Sequence, residues 1–145
     1  MKILVLTLAA AALLAPAAHA QKVAAAKVPA AVAATFKHQF PAVKLVHWEK
    51  EGADYEAGFV QGKAEMSAVI TAAGVLKETE TELPVAQLPA PVQQALTTRY
   101  KTAKITEAAK IMTAATGAVT YEAEISQGGR HRDVLFNADG TEVTK

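Results

Sequence analysis

No cysteine occurs anywhere in the 145 residues. That excludes disulfide staples, thiol nucleophiles and thiolate metal sites, so packing has to carry stability even in an oxidising compartment. Long apolar runs are also missing. The longest, Ile3 to Leu14, falls short of the roughly 20 residues a membrane span requires. An excess of charge is missing too. Without Lys2 the chain carries fourteen basic and fourteen acidic residues, and a balanced chain has no bulk attraction to phosphate backbones or anionic lipid. Nucleic acid is set aside as a partner. Histidine is scarce: beyond residue 20 only His38, His47 and His131 occur, with no spacing that would bring two to one metal.

The start of the chain reads as an export signal. Lys2 supplies a positive start, Ile3 to Leu14 the apolar run, and Ala18-His19-Ala20 the small residues expected before a cleavage site. Cleavage after Ala20 is expected, giving a periplasmic or secreted chain from Gln21 to Lys145 with no stable membrane insertion. Residues 21–27 carry no turn or strand signals and read as a frayed lead-in.

The remainder repeats itself. Pro29 returns as Pro89, Tyr55-Glu56-Ala57 as Tyr121-Glu122-Ala123, Gln61-Gly62 as Gln127-Gly128, and Gly74 as Gly140. Each unit opens on a proline suited to a first helical turn. Val32, Phe36 and Phe40 then mark one helical face, as do Leu88, Val92, Leu96 and Tyr100 in the second copy. Strand-like segments follow: Val43–Lys50, Asp54–Val60, Ala64–Thr71 and Val75–Glu82, then Lys104–Ala114, Ala118–Ser126, Arg130–Asn137 and Thr141–Thr144. Glycines stand between them, as tight hairpins require. Two units, residues 21–83 and 84–145, are joined by a proline-stiffened connector.

Tyr55, Ala57 and Phe59 share one parity, as do Tyr121, Ala123 and Ile125, while Glu56, Glu122 and Glu124 take the other. This alternation implies an α+β fold in which two tandem helix-plus-antiparallel-meander repeats pack their helices on one face of the sheet. Pro29 to Pro89 is a shift of 60 but Tyr55 to Tyr121 is a shift of 66. The second copy therefore holds six more residues near Ala108 to Gly117, and a longer first hairpin is expected there, reaching beyond the body of the sheet.

Chemistry is harder to find. Asn137-Ala138-Asp139-Gly140 shares a fragment of a calcium loop but lacks the later ligands and the closing Glu, so a plain hairpin turn is expected. Arg130-His131-Arg132-Asp133 is expected to be offset by Glu122 and Glu124 on the preceding strand. Trp48, the sole tryptophan, is expected under the first helix, with Ala108 at the equivalent place. Burial of His47, Glu49 and Glu107 in one pocket would point to an enzyme; nothing in their spacing does. No catalytic, metal or cofactor-binding residue is expected. The expected contacts for a protein partner in the cell envelope are Glu122, Glu124, Arg130, Arg132, Lys110 and Met112, on the helix-free sheet face or the longer hairpin. The alternative is a structural or stress-related envelope protein without a specific partner.

The proline-led helices, the duplicated Tyr-Glu-Ala strands and the Ala138–Gly140 turn together resemble the PepSY-like, β-lactamase-inhibitor-like (BLIP-like) family of exported bacterial proteins. The resemblance spans about Val28 to Thr144. It implies tandem α/β units and a non-catalytic binding or inhibitory module, and brings no catalytic residues or cofactor. The first turn, Ala72-Ala73-Gly74, departs from it in lacking an acid matching Asp139.

Overall fold

The computed structural model describes residues 21–144; the export signal expected over residues 1–20 lies outside them. Nine antiparallel strands form one sheet in sequence order: β1 (Gln21–Val23), β2 (Val46–Glu51), β3 (Asp54–Gln61), β4 (Ala64–Thr71), β5 (Leu76–Glu82), β6 (Lys104–Thr113), β7 (Val119–Gln127), β8 (Arg130–Asn137) and β9 (Glu142–Val143). Two helices, α1 (Ala30–Gln39) and α2 (Ala90–Arg99), pack on one face. The α+β architecture expected from the repeat is present.

The helices begin where proline fixes the backbone. Pro29 and Pro89 occupy the position just before each helix with φ −57° and −53°, and their carbonyls accept the first intrahelical bonds, from Ala33 at 3.1 Å and Gln93 at 3.0 Å. Val32 and Phe36 in α1, and Val92 and Leu96 in α2, are the residues each helix buries. Two cores result. One joins α1 to Trp48, Ala57, Phe59, Ala68 and Ile70; the other joins α2 to Ala108, Ala123, Ile125, Val134 and Phe136. Trp48 lies under α1, edge-on to Phe36 at 5.4 Å between ring centroids. Where Trp48 fills the first core, the second has the methyl of Ala108.

Two expectations are corrected. The lead-in is not frayed: Gln21–Val23 pairs with Lys50, Glu49 and Trp48 of β2. The same pairing recurs sixty positions on, where Thr81 and Glu82 face Lys110 and Ala109 and the Leu83 N–H donates to the Ala108 carbonyl at 2.9 Å. Each unit therefore starts with a short strand laid against its own first hairpin. In the second unit that strand is the end of β5, so β5 closes one unit and opens the next.

The longer hairpin, in turn, does not reach beyond the sheet. Its added residues carry β6 past Lys110, and Ile111, Met112 and Thr113 pair with Glu80, Thr79 and Glu78. The insertion is spent on the seam. Backbone donors and acceptors left open along β5 would be costly, and a longer β6 satisfies them.

Candidate functional site

Strand parity divides the sheet into two chemically different faces. On the helix side lie the apolar residues of both cores. On the other side β2 contributes Glu49 and Glu51, β3 Glu56, β4 Glu65, β5 Glu78, Glu80 and Glu82, β6 Glu107, β7 Glu122 and Glu124, and β8 Asp133. Several acids oppose one another directly: Glu49 faces Glu56, Glu107 faces Glu124, and Glu124 faces Asp133, while Glu65 sits close enough to Glu82 for their carboxyls to interact. Like charges placed opposite each other across strands destabilise a sheet. The balanced net charge thus conceals a strongly polarised molecule.

This acidic face is concave. One cavity of about 350 Å³ is lined by Glu51 of β2, Glu56 of β3, Ser67 and Val69 of β4, Glu78 and Glu80 of β5, Ile111 and Thr113 of β6, Thr120 and Glu122 of β7, and Asp133 and Leu135 of β8. In a flat sheet β2 and β8 would stand roughly 29 Å apart at about 4.8 Å per strand. To line one small cavity the sheet has to curl, with the helices on its outer surface. A smaller hollow of about 80 Å³ adjoins it, walled by Glu80, Glu82, Glu107, Glu122, Glu124 and Asp133.

The curl concentrates charge and removes water. Glu80, at the centre, has its carboxyl pushed up to about 7 by burial first, and then by the charges of Glu122, Glu56, Glu78 and Asp133. Glu56 is also raised, chiefly by burial, although Ser67 hydrogen-bonds it and opposes the shift. Glu124 goes the other way, because Thr106 and then His131 hydrogen-bond its carboxylate. Between the acids the floor is aliphatic: Val69 and Leu135 are half-buried and Ile111 is buried.

The six contacts expected from sequence fall on both faces. Glu122 and Glu124 line the concave side. Lys110, opposite Tyr121, and Met112, opposite Val119, take the helix side. Arg132 lies opposite Ile125, and its guanidinium sits 5.2 Å from the centre of the Tyr100 ring; Arg130 shares its parity. The expected charge ladder is therefore corrected. The arginines and the glutamates are separated by the sheet, and the cation that meets the acids is His131, on the same face as Glu124, its Nδ1 lying 2.8 Å from that carboxylate. Counting back by twos from Val134 and Phe136 places Arg132 and Arg130 on the core side, so this separation was readable. The same count through Glu78, Glu80 and Glu82 marks the acidic face, a signal the sequence analysis missed.

The remaining candidates are placed plainly. His47 and Glu49 on β2 line one hollow with Lys22 and Trp48, whereas Glu107 on β6 lines others with Glu82 and Ala108, so the three are not gathered. Asp139 accepts the Thr141 backbone N–H at 2.8 Å and makes a hairpin turn. In the first unit Thr71 does the equivalent work, its hydroxyl accepting the Val75 N–H at 3.1 Å. Among the described residues no three His, Cys, Asp or Glu side chains are set to hold a metal ion, and no helix is long and apolar enough to cross a membrane.

A family model described as "Putative beta-lactamase-inhibitor-like, PepSY-like" matches residues 16–77 and again residues 70–141. No curated protein matches the chain. Among solved structures, one from Bacteroides eggerthii, described as a "putative periplasmic" protein, superposes with a TM-score of 0.72 at 16% identity, covering 81% of this chain and 86% of that one. A DUF2874 family protein from Bacteroides uniformis gives 0.72 at 17% identity, covering 80% and 86%. A BLIP-like protein from Bacteroides fragilis gives 0.66 at 22% identity, covering 80% and 84%. At these identities the likeness is one of fold.

Proposed function

This chain belongs to the PepSY-like, β-lactamase-inhibitor-like family, and from that premise we propose that it is an exported, non-enzymatic module that binds a protein partner through the concave face of its sheet. The observation that carries this reading is the curled nine-stranded sheet, whose helices cover the outer face and leave the inner one open. A face drawn from seven successive strands suits a protruding loop or segment of a macromolecule. A small ligand would ask for an enclosed and largely apolar pocket. Inhibition is the form such binding takes when the bound segment borders a partner's active site.

Export is supported by the leading Lys2, the apolar run and Ala18-His19-Ala20. It is also in keeping with the description of the Bacteroides eggerthii neighbour.

The test is photo-crosslinking in the native envelope, with a photoreactive residue at Ser67 or Thr120 on the concave face and at Lys37 on α1 as control. A single stoichiometric protein adduct from the concave positions, absent from Lys37, is the expected result. Equal and scattered labelling from all three would overturn the reading in favour of an envelope protein without a specific partner.

A further inference from the structure

We infer that the occupant of the concave face is a lysine- or arginine-rich segment of the partner, its cationic heads against Glu56, Glu80, Glu122 and Asp133 and its aliphatic stems over Val69 and Ile111. The inference rests on the binding function proposed above and names the chemistry of the partner.

Two independent features converge on that chemistry. The first is charge. Carboxylates oppose one another across β2 and β3, β6 and β7, and β7 and β8. The cations on this face stand at its margins: Lys22 opposite Glu49, Lys104 opposite Ser126, Lys77 with its Nζ 2.7 Å from Asp54, and His131 beside Glu124. A cationic occupant relieves the repulsion, and its field is strengthened by the low-dielectric walls of a concavity. The second feature is the aliphatic floor. Val69 and Ile111 lie among the acids within the same cavity, where carboxylates alone would have no use for them. Lysine and arginine are the side chains that pair an apolar stem with a charged tip.

A bare divalent cation fits less well. The acids are dispersed around the hollow, and among the described residues no group of three is set for coordination. A second copy of this chain also fits less well, since the exposed edge of β1 offers one lysine among Gln21, Lys22 and Val23.

The experiment titrates the purified protein with a fluorescein-labelled ten-residue peptide of alternating lysine and alanine, at low salt and pH 7.5, read by anisotropy. Its glutamate–alanine counterpart is the control. The variants are Glu56→Gln with Glu80→Gln, Val69→Ser on the floor, and Lys110→Gln on the helix side. One-to-one saturable binding is expected, at least tenfold weaker in the double variant, several-fold weaker in V69S and unchanged in K110Q. Circular dichroism checks that each variant is folded, and removing repelling carboxylates leaves the fold no less stable. Failure of the lysine peptide to bind, or binding indifferent to both concave-face changes, overturns the inference. So does a monomer–dimer equilibrium abolished by the double variant, which would make a second copy the occupant, or calcium displacing the peptide at micromolar concentration. Concave-face crosslinking to a partner alongside a failed peptide titration would leave the binding function standing and remove only the chemistry assigned here.

Discussion

Gly140 lies so close beneath the start of α2 that a Cβ on it would come within 2.5 Å of the Pro91 carbonyl oxygen. Its φ of +84° is one that side chains seldom adopt. The first unit repeats the contact: a Cβ on Gly74, at φ +86°, would meet the Ala31 carbonyl oxygen at 2.9 Å, and the Thr35 hydroxyl donates to the Gly74 carbonyl at 2.6 Å. These turns clamp the helices to the sheet.

Gly140→Ala is therefore expected to destabilise by about 2–4 kcal/mol, combining backbone strain with a displaced turn. Gly74→Ala should cost somewhat less. Gly62→Ala, with positive φ but open space around the new methyl, should cost only about 1 kcal/mol. Urea unfolding of the three variants checks the order; equal losses would mean that strain alone matters and the clamp does not.

Trp48→Ala removes the largest side chain of the first core, where Phe36 meets it edge-on. A loss of about 3–5 kcal/mol is expected, as for other buried aromatic truncations. Unfolding has to be followed by circular dichroism, since the chain has one tryptophan. A loss below about 1 kcal/mol would show that the core closes over the gap.

Folding stability should fall as pH rises through neutrality. Glu80 keeps its proton to about pH 7 in the folded chain and loses it near 4.5 when unfolded. Between those values folding takes up a proton, so the stabilisation present below 4.5 is lost on the way to 7. Because Glu80 is only partly buried and solvent screens its neighbours, the change amounts to about 1–2 kcal/mol. Glu80→Gln should flatten this part of the profile and be the more stable form at pH 8. An unchanged slope in the variant would show that Glu80 ionises without strain.

The seam between the units is expected to set cooperativity. Each unit has its own core, and β5 against β6 carries the pairing between them. In the parent chain Trp48 fluorescence, which reports the first core, and far-ultraviolet ellipticity, which reports both, should give one coincident transition. Ile111→Pro places proline in a central strand and removes a ladder donor. Two separated transitions are expected, with the fluorescence one nearer the parent midpoint. A single transition at lower urea would mean that the units stand or fall together without the seam.

The sequence made the units legible because their marks are local. Proline before each helix, apolar residues every four positions and glycine at each turn act over a few residues, and α1, α2 and the strands fall close to where those marks put them. What stayed hidden depends on distant partners. Gln21–Val23 is too short to show a pattern, and it is a strand because Trp48, Glu49 and Lys50 face it. The shift from 60 to 66 revealed the six added residues but could not say which neighbour they meet, since pairing of β6 with β5 is decided by the open edge of another unit. The concave site was half legible. Parity gives its acids, whereas curvature arises from the twist and closure of the whole sheet and leaves no local signature.

The order of the strands has a consequence for how the chain takes shape in time. Every strand from β2 to β8 lies between its two neighbours in sequence, so none must wait for a later segment to be threaded beside it. A chain that emerges N-terminus first would lay each strand on an edge already formed, helix α1 closing over β2 to β4 before α2 has appeared. Until β6 arrives, β5 presents its free side to the surroundings, and the residues that shorten this exposure are the ones the second unit has gained.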